Sequence, residues 1–421
     1  MILYKSALYD SARQEAILGH LEAHINRVRA TRTLDPEAVI RAVDRLGTRI
    51  GAGEFDSVIA RVADPADVDR YRDLAARLMR RESLEARLRA ELIPPAPDPA
   101  SPVRQQLRPL GTLFHIAAGN MDALPAYSVV EGLLAGNFNI LKLPSADSGV
   151  TVEILTNLIR EEPAIGEFTA VFDTPSTDTD AMRRMASMAD GIVLWGGEAA
   201  TSAVRAMAPA GAKLIEWGHR LGFAYIAGDP SDEDLDALAG HIAETKQLLC
   251  SCAQVLYLDT RRMDDLRAFA RRFLPRLERA MEARPLTDIG ALAQLTTRKR
   301  CRELAETLGE RSPDEILRGA SASLILRRDS ALELSPLWGN VLVKRLPREN
   351  LLPVLRTAKG TLQTAGLLCP EAERAELTEL LVRSGINRVT RAGTLSASFP
   401  GEAHDGEYPL RRYTRVVDIE K

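Results

Sequence analysis

The segment Lys246–Asp259 reads KQLLCSCAQVLYLD and contains two of the chain's four cysteines, Cys250 and Cys252. A cysteine thiolate is a nucleophile and a metal ligand, so these side chains could attack an acyl carbon, hold a metal ion or form a redox pair. Cysteine is also among the most buried residue types, so a small apolar side chain in the core is the alternative interpretation. The rest of the sequence contains the features that distinguish these roles.

A metal site and a redox pair are both disfavoured by the spacing. Cys250 and Cys252 form a CxC motif rather than CxxC, and the six histidines are scattered without an HExxH motif. We therefore expect no metal, because a zinc site needs a second ligand pair at regular spacing. The cysteines lie where a polar, helix-like segment gives way to the apolar strand VLYL. Such a junction can present a nucleophilic thiol to a cleft.

The composition is that of an ordinary globular protein and argues against several classes of function. Apolar residues make up 45% of the 421-residue chain, charged residues 27%, and the formal net charge is −3. This balance gives no basis for a nucleic-acid or membrane surface. We read no signal peptide at the N-terminus and no apolar stretch long enough to span a membrane. Four cysteines form no disulfide framework, so we expect reduced thiols and a cytoplasmic protein.

The middle of the chain alternates short apolar strands with helix-like segments. The predicted strands are GTLFHIAAGN, NFNILKLP, TAVFDTP, GIVLWGG, AKLIEWG and FAYIAGD. Strands that alternate with helices are typical of βαβ units and a parallel sheet, so the predicted fold class is α/β. In such sheets, ligands usually bind at the carboxyl ends of the strands.

The chain divides into four predicted parts. Residues 1–100 are a helical segment that packs on the next domain and ends in the proline-dense stretch IPPAPDPASP. Residues 101–225 form a nucleotide-type, Rossmann-like sheet, and residues 226–395 form a second α/β domain that carries the cysteine pair. Residues 396–421 are a strand-like arm that could pair across subunits.

Several segments, taken together and in order, resemble a known enzyme superfamily. They are GTLFHIAAGNMDALPAYS, LLAGNFNILKLPSADS, VLWGGEAATSAV, KLIEWGHRLGFAYI, QLLCSCAQVLYLD, LQTAGLL and HDGEYPLRRYTRVVD. In this order they resemble the aldehyde dehydrogenase superfamily, and most of all its acyl-CoA reductase branch, the LuxC family. The resemblance covers residues 105–421. It implies an aldehyde dehydrogenase-like fold, with a Rossmann-type cofactor domain and a second α/β catalytic domain.

The resemblance also implies catalytic roles. Cys250 matches the family's catalytic thiol, and Cys252 falls where the family has a small residue, which makes Cys252 the second choice. Glu216 precedes Cys250 at a spacing similar to that of the superfamily's catalytic glutamate. Its alternative is a solvated carboxylate at a strand end. Asn120 matches the asparagine that helps to hold an oxyanion, and its alternative is a turn residue in a Gly-Asn pair.

A nicotinamide cofactor follows from the same resemblance. Lys142, which ends the strand NILK, matches the lysine that binds the cofactor ribose, and Ser145 lies in the run that follows it. Gly196 and Gly197 match the turn that meets the cofactor before a helix. No carboxylate follows Lys142 until Asp147, whereas NAD enzymes often place one against the ribose hydroxyls. A nearby carboxylate would repel a 2′-phosphate, so we expect NADPH, with NADH as the alternative.

One segment departs from the pattern of typical superfamily members. ELSPLWGNVLVKRL, residues 333–346, stands where those members have a glutamate that bonds the nicotinamide ribose. Pro336 or Leu337 occupies that place, and Glu333 is displaced from it. The departure leaves the position of the nicotinamide open. It is compatible with a branch in which coenzyme A and nicotinamide share a site.

The predicted function is NADPH-dependent reduction of an acyl-CoA, or of a carrier-bound acyl thioester, to the aldehyde through an acyl-cysteine. One alternative is oxidation of an aldehyde, because Glu216 could activate a water that hydrolyses the acyl-enzyme. Another is a non-reducing acyl-transfer subunit, which would be acylated without binding nicotinamide. We expect a homo-oligomer, working alone or with an acyl-transfer partner protein.

Overall fold

The computed structural model describes residues 1–63, 65–96, 100–117, 123–145, 147–308 and 314–421. The chain divides into two units, one of Met1–Gly218 with Phe399–Lys421 and one of His219–Ser398. The predicted boundaries after residues 225 and 395 differ from these divisions. The first falls inside strand Leu221–Ile226, which belongs to the second unit. An apolar strand carries no local mark of the sheet that it joins, so the sequence pattern placed this strand in the wrong sheet.

The first unit contains a seven-stranded sheet in the order β2-β1-β6-β5-β4-β7-β8, in which β4 to β8 are parallel to one another. Its strands, with the separate β3, are β1 (Ile2–Tyr4), β2 (Ala7–Tyr9), β3 (Val103–Pro109), β4 (Thr112–Ile116), β5 (Phe138–Lys142), β6 (Thr169–Phe172), β7 (Gly191–Trp195) and β8 (Lys213–Trp217). Five of the six predicted apolar strands are thus in this sheet. The order β6-β5-β4-β7-β8 is that of a Rossmann-type sheet, which confirms the predicted fold.

Ten helices surround this sheet within the described part of the first 218 residues. They are α1 (Gln14–Thr31), α2 (Pro36–Gly51), α3 (Asp56–Ile59), α4 (Val68–Met79), α5 (Arg81–Glu91), α6 (Leu124–Leu134), α7 (Val150–Glu161), α8 (Ala164–Glu167), α9 (Thr179–Ser187) and α10 (Glu198–Met207). Leu21 of α1 and Val43 of α2 lie in the same buried cluster as Phe114 of β4, so the N-terminal helices share the core of the sheet. The β1–β2 hairpin, which was not predicted, extends the sheet through antiparallel pairing of β1 with β6.

The second unit is another α/β structure, with a sheet in the order β11-β12-β13-β10-β9-β14-β15. All its strand pairs are parallel except β11 with β12. Its strands are β9 (Leu221–Ile226), β10 (Ala253–Leu258), β11 (Glu315–Arg318), β12 (Ser323–Arg327), β13 (Asn340–Arg345), β14 (Leu362–Leu368) and β15 (Arg388–Thr390). Its helices are α11 (Asp232–Thr245), α12 (Met263–Ala283), α13 (Ile289–Thr307), α14 (Leu351–Arg356) and α15 (Glu371–Ser384).

Both faces of the second sheet are buried. Along β9, Phe223 and Tyr225 lie in one apolar cluster, whereas Ala224 and Ile226 lie in another. A parallel sheet covered on both faces needs continuous apolar strands, which explains why the sequence of this region shows runs such as VLYL rather than alternation.

The last residues form α16 (Pro409–Arg412) and β16 (Thr414–Glu420) in the first unit. β16 pairs antiparallel with β3 along its whole length, and these two strands form a separate sheet. The predicted strand-like tail is therefore observed, with a partner strand from its own chain. Within the described ranges, no helix is long and apolar enough to cross a membrane.

A buried ionic cluster anchors this C-terminal segment. The guanidinium of Arg87 pairs with the carboxylates of Glu91 and Glu131, all three side chains being nearly excluded from solvent. The backbone N–H of Leu410 donates to Glu91 at 2.7 Å, and the Tyr413 hydroxyl donates to Glu131 at 3.1 Å. A buried charge is tolerated only when it is paired and hydrogen-bonded, so these partners hold α5, α6 and the C-terminal segment together.

Candidate active site

The two cysteines of the CxC motif have opposite environments. Both lie in the thiol loop, residues 246–252, which connects α11 to the amino end of β10 in the second unit. The side chain of Cys250 is exposed, whereas Cys252 is completely buried. Burial also raises the pKa of the Cys252 thiol. A thiolate must be formed and be accessible to attack an acyl carbon, so this contrast supports Cys250 as the nucleophile.

Two further contacts fix the C-terminal half of the thiol loop. The Ser251 hydroxyl bonds the Ser396 hydroxyl at 2.7 Å, and Ser396 in turn lies 3.5 Å from Nε2 of His241. On β9, a Cβ atom at Gly222 would lie 2.7 Å from the carbonyl oxygens of Ser251 and Cys252. A glycine is therefore required where β9 passes against the loop.

Glu216 lies on β8, the edge strand of the first unit, and it has a defined partner. Arg205, in the last turn of α10, donates from Nε to one carboxylate oxygen and from Nη2 to the other, each at 2.7 Å. The side chain of Glu216 is 22% exposed and that of Arg205 is 62% exposed. The bidentate bond to the carboxylate raises the pKa of Arg205. Glu216 is therefore fixed by an ion pair with Arg205. The sequence interpretations, a catalytic glutamate or a solvated carboxylate, did not include this ion pair.

Asn120, the predicted oxyanion residue, lies outside the described residues. Strand β4 ends at Ile116 before it, and α6 begins at Leu124 after it.

Lys142 is the last residue of β5 and is almost completely buried. Its ammonium group donates to the Ser176 hydroxyl at 2.8 Å, and burial lowers its pKa. Ser145 is exposed, three residues further along the chain. The first carboxylate after Lys142, that of Asp147, accepts a bond from the backbone N–H of Gly149 at 2.9 Å. One of its oxygens is therefore engaged in a local turn.

The glycine pair lies at the point where strand order reverses. β4 and β7 are adjacent, yet the strands that follow them in the chain lie on opposite sides, and ligands of Rossmann-type sheets bind at this crevice. Gly196 and Gly197 follow β7, and no atom lies within 4 Å of a Cβ placed at Gly197.

Gly197 is the N-cap of α10 and Gly149 is that of α7, so neither helix receives a side-chain cap from this position. By contrast, Asp178 caps α9, the helix that follows β6. Helix N-termini without such caps can bind phosphate groups, so this edge of the sheet fits a dinucleotide.

An aromatic cluster at the ends of β7 and β8 was missed by the sequence analysis. Trp195 and Trp217 are stacked with ring centroids 5.4 Å apart, and His404 from the C-terminal segment meets both rings edge-on. Trp195 directly precedes the glycine pair and Trp217 directly follows Glu216, so the cluster adjoins both predicted sites in the sequence. The repeated Trp-Gly in VLWGG and IEWG was the available signal.

Glu333, the displaced glutamate, is an ion-pair partner. Its carboxylate contacts the ammonium of Lys344, which is completely buried, and accepts a bond from Arg327 at 2.6 Å. A buried lysine needs such a partner, so Glu333 has a structural use that explains its position.

Comparison with known proteins gives the family and the fold. The sequence model of the acyl-CoA reductase (LuxC) family matches residues 35–416. Long-chain acyl-protein thioester reductase 2 of Photobacterium leiognathi is 23% identical over 74% of this chain. A long-chain acyl-protein thioester reductase of Vibrio harveyi is also 23% identical over 74% of the chain. The chain covers 65% of each relative, slightly less than two thirds.

Solved structures show the same fold at low identity. An NAD-dependent benzaldehyde dehydrogenase from Corynebacterium glutamicum is 16% identical, with a TM-score of 0.68 over 97% of this chain and 90% of that one. Glyceraldehyde-3-phosphate dehydrogenase GapN from Methanocaldococcus jannaschii, complexed with NADP, is 12% identical, with a TM-score of 0.70 over 99% and 96%. The predicted aldehyde dehydrogenase-like fold is confirmed.

Proposed function

Because the chain belongs to the acyl-CoA reductase (LuxC) family, we propose that it reduces an acyl thioester to the aldehyde through an acyl group carried on Cys250. The observation that carries the proposal is the exposed Cys250 thiol two residues before the buried Cys252. The similar relatives are named long-chain acyl-protein thioester reductases, which supports a long acyl chain. The donor is coenzyme A or a carrier protein.

In the acylation step, the Cys250 thiolate attacks the thioester carbonyl, the donor leaves as its thiolate, and the acyl group stays on sulfur. The charge that develops on the carbonyl oxygen needs hydrogen-bond donors, which we assign to the Asn120 amide and the Cys250 backbone N–H. Loss of one such donor typically raises the barrier by about 2.7–4 kcal/mol. A covalent acyl-enzyme divides one difficult reaction into two easier ones.

Four residues would hold the nicotinamide cofactor: Lys142, Ser145, Gly196 and Gly197. When bound, the nicotinamide supplies the hydride that converts the acyl group to the aldehyde. Lys142 brings a buried ammonium group to the carboxyl end of β5, and Gly197 leaves space for close approach at the N-terminus of α10. The protein's own part is to orient both reactants and to exclude water.

We propose NADPH as the preferred cofactor. The run that follows Lys142 has no acidic residue before Asp147, and one oxygen of Asp147 is bonded to the backbone of Gly149. A 2′-phosphate would therefore meet less negative charge than in enzymes with a ribose-binding carboxylate.

The pairing of Glu216 disfavours the oxidative alternative. To hydrolyse an acyl-enzyme, Glu216 would have to accept a proton from water. The two bonds from Arg205, one to each carboxylate oxygen, restrict how a water could approach this carboxylate. We therefore propose that the acyl group is reduced rather than hydrolysed.

We also propose that the chain forms a homo-oligomer and that it is cytoplasmic. A two-stranded sheet such as β3–β16 is only marginally stable by itself, so we propose that a second copy of the chain covers it. A monomeric mass in solution would contradict this. A thiol that must stay reduced suits a reducing compartment, so we place the protein in the cytoplasm.

The first experiment follows nicotinamide absorbance when the protein meets NADPH and a panel of acyl-CoAs of increasing chain length. Acyl-CoA-dependent oxidation of NADPH supports the proposal, and the panel ranks the chain lengths. A covalent acyl adduct on the protein without NADPH oxidation would favour an acyl-transfer subunit. A Lys142→Met variant should raise the KM for NADPH and leave acylation unchanged, which tests the cofactor site separately.

A further inference from the structure

Two turns of the second unit have a strained backbone at residues other than glycine. Lys246 and Gln247, at the start of the thiol loop, have φ values of 51° and 62°. Leu337 and Trp338 have φ values of 69° and 49°. Side chains make this left-handed region costly, and it persists only where the surroundings enforce it, often at functional sites.

The two strained turns are bonded to each other. The backbone N–H of Trp338 donates to the carbonyl of Lys246 at 3.1 Å. The amide oxygen of Gln247 accepts from the backbone N–H of Gly339 at 3.2 Å, and its amide nitrogen donates to the Ser335 hydroxyl at 3.0 Å. The segment that departs from the superfamily pattern therefore supports the thiol loop directly.

Gln247 also closes the thiol loop on itself. The Gln247 amide nitrogen donates to the carbonyl of Ala253 at 3.0 Å. This bond joins the start of the thiol loop to the first residue of β10. The backbone carbonyl of Gln247 accepts from the Gln254 amide at 2.8 Å. Gln247 is 1% exposed, and each of these bonds is made away from solvent. Cys250 lies at the centre of the closed segment.

Gln254 and Ser335 complete a hydrogen-bond network around the Gln247 side chain. The Ser335 hydroxyl donates to the Gln254 amide oxygen at 2.7 Å and accepts from the backbone N–H of Leu337 at 3.1 Å. Both side chains are buried. Because every amide and hydroxyl group of the three side chains has a partner, the network can specify one backbone conformation rather than several.

We propose that Gln247 is a positioning residue that sets the place of the Cys250 sulfur by closing the thiol loop, with Gln254 and Ser335 as its supports. The inference rests on the proposed role of Cys250 as the acylated nucleophile. Attack on a thioester needs the sulfur within a narrow range of distances and angles, and a misplacement of about 1 Å can cost about 100-fold in rate.

The test compares Gln247→Ala and Ser335→Ala with Tyr257→Phe, each in the full-length protein. Tyr257→Phe is a matched control, because it removes a partly buried bond from a buried side chain to a backbone carbonyl, that of Ser330, near the other end of β10. The measurement is the single-turnover rate of Cys250 acylation by a long-chain acyl-CoA. We expect Gln247→Ala to slow it about 100-fold with little change in half-saturating acyl-CoA, and Ser335→Ala less, while Tyr257→Phe reacts as wild type.

A second measurement follows alkylation of each cysteine by iodoacetamide, resolved by peptide mass. Loop opening in Gln247→Ala should expose Cys252, which is buried in the native protein, and raise its alkylation at least about tenfold relative to the exposed Cys301. Should Gln247→Ala fail to fold, Ser335→Ala must show both effects for the proposal to stand. Wild-type acylation and an unlabelled Cys252 in a folded variant would overturn it.

The two measurements separate the two proposals. If neither acyl-CoA nor a carrier-bound acyl thioester acylates wild-type Cys250, the proposed function fails. The alkylation of Cys252 then still decides whether Gln247 closes the loop.

Discussion

The thiol loop of the second unit and the glutamate of the first unit are held in opposite ways. Gln247 joins both ends of the loop through buried neutral hydrogen bonds to Ala253 and Gln254. Glu216 depends on one ion pair with an arginine that is 62% exposed. Breaking a buried hydrogen bond leaves an unsatisfied group at a cost of about 1–3 kcal/mol, whereas an exposed ion pair is weakened by water and salt. The loop that carries Cys250 is therefore fixed by buried bonds, whereas the Glu216 carboxylate is adjustable.

Removal of the Cys250 thiol, the proposed nucleophile, should have the largest effect. Cys250→Ala should lower acyl-CoA-dependent NADPH oxidation by more than about 10⁴-fold, because the covalent route is lost. Cys252→Ala should keep most of the activity, since its thiol is buried with a raised pKa. Steady-state rates of NADPH oxidation and the intact mass of the acylated protein check both predictions. Retained acylation in Cys250→Ala with loss in Cys252→Ala would reverse the assignment.

Displacement of the thiol loop by a side chain on β9 should have the second-largest effect. Gly222→Ala would place a Cβ 2.7 Å from two loop carbonyls, so the loop must move. We expect acylation to slow about 10- to 100-fold and unfolding free energy to fall by about 1–3 kcal/mol. Gly240→Ala on α11 is the control, because nothing lies within 4 Å of its Cβ. Equal rates for the two variants would show that the thiol loop is not rigidly positioned.

Removal of the arginine that pairs with Glu216 should change the reaction product and leave the fold unchanged. Arg205→Gln should raise hydrolysis of the acyl-enzyme to free acid by about tenfold, because both carboxylate oxygens of Glu216 lose their bonds from Arg205 and can accept from a water. The thermal unfolding midpoint should change little. Arg183→Gln, which removes a similar exposed arginine paired with Asp180, is the control. The measurement is the ratio of acid to aldehyde, and an unchanged ratio would contradict the proposed restraint on Glu216.

The smallest effect should come from salt. Raising ionic strength from about 0.1 M to 1 M shortens the screening length from about 10 Å to 3 Å. The acid-to-aldehyde ratio should shift in the same direction as in Arg205→Gln and by a smaller factor, while acylation of Cys250 should not change. A salt effect confined to acylation would mean that the thiol loop, and not the ion pair, is the adjustable part.

Much of the fold could be predicted because apolar strands and helix starts leave local patterns. Strands β4 to β8 and the position of Cys250 before β10 follow from such patterns, and the order of the motifs indicated the family. The predicted boundary within β9 was wrong because sheet membership depends on partners far along the chain. The β1–β2 hairpin was missed for the same reason, since its partner β6 lies more than a hundred residues away.

The amino-acid sequence shows which chemical groups are present: a CxC thiol pair, a glutamate at the end of a strand, a lysine at the end of another and a glycine pair before a helix. The states of these groups follow from the folded structure. Folding buries Cys252, leaves Cys250 exposed on a loop whose ends are joined by Gln247, and bonds Glu216 to Arg205. Exposure and hydrogen bonding depend on neighbours brought together by folding, and these neighbours determine whether a thiol or a carboxylate can react.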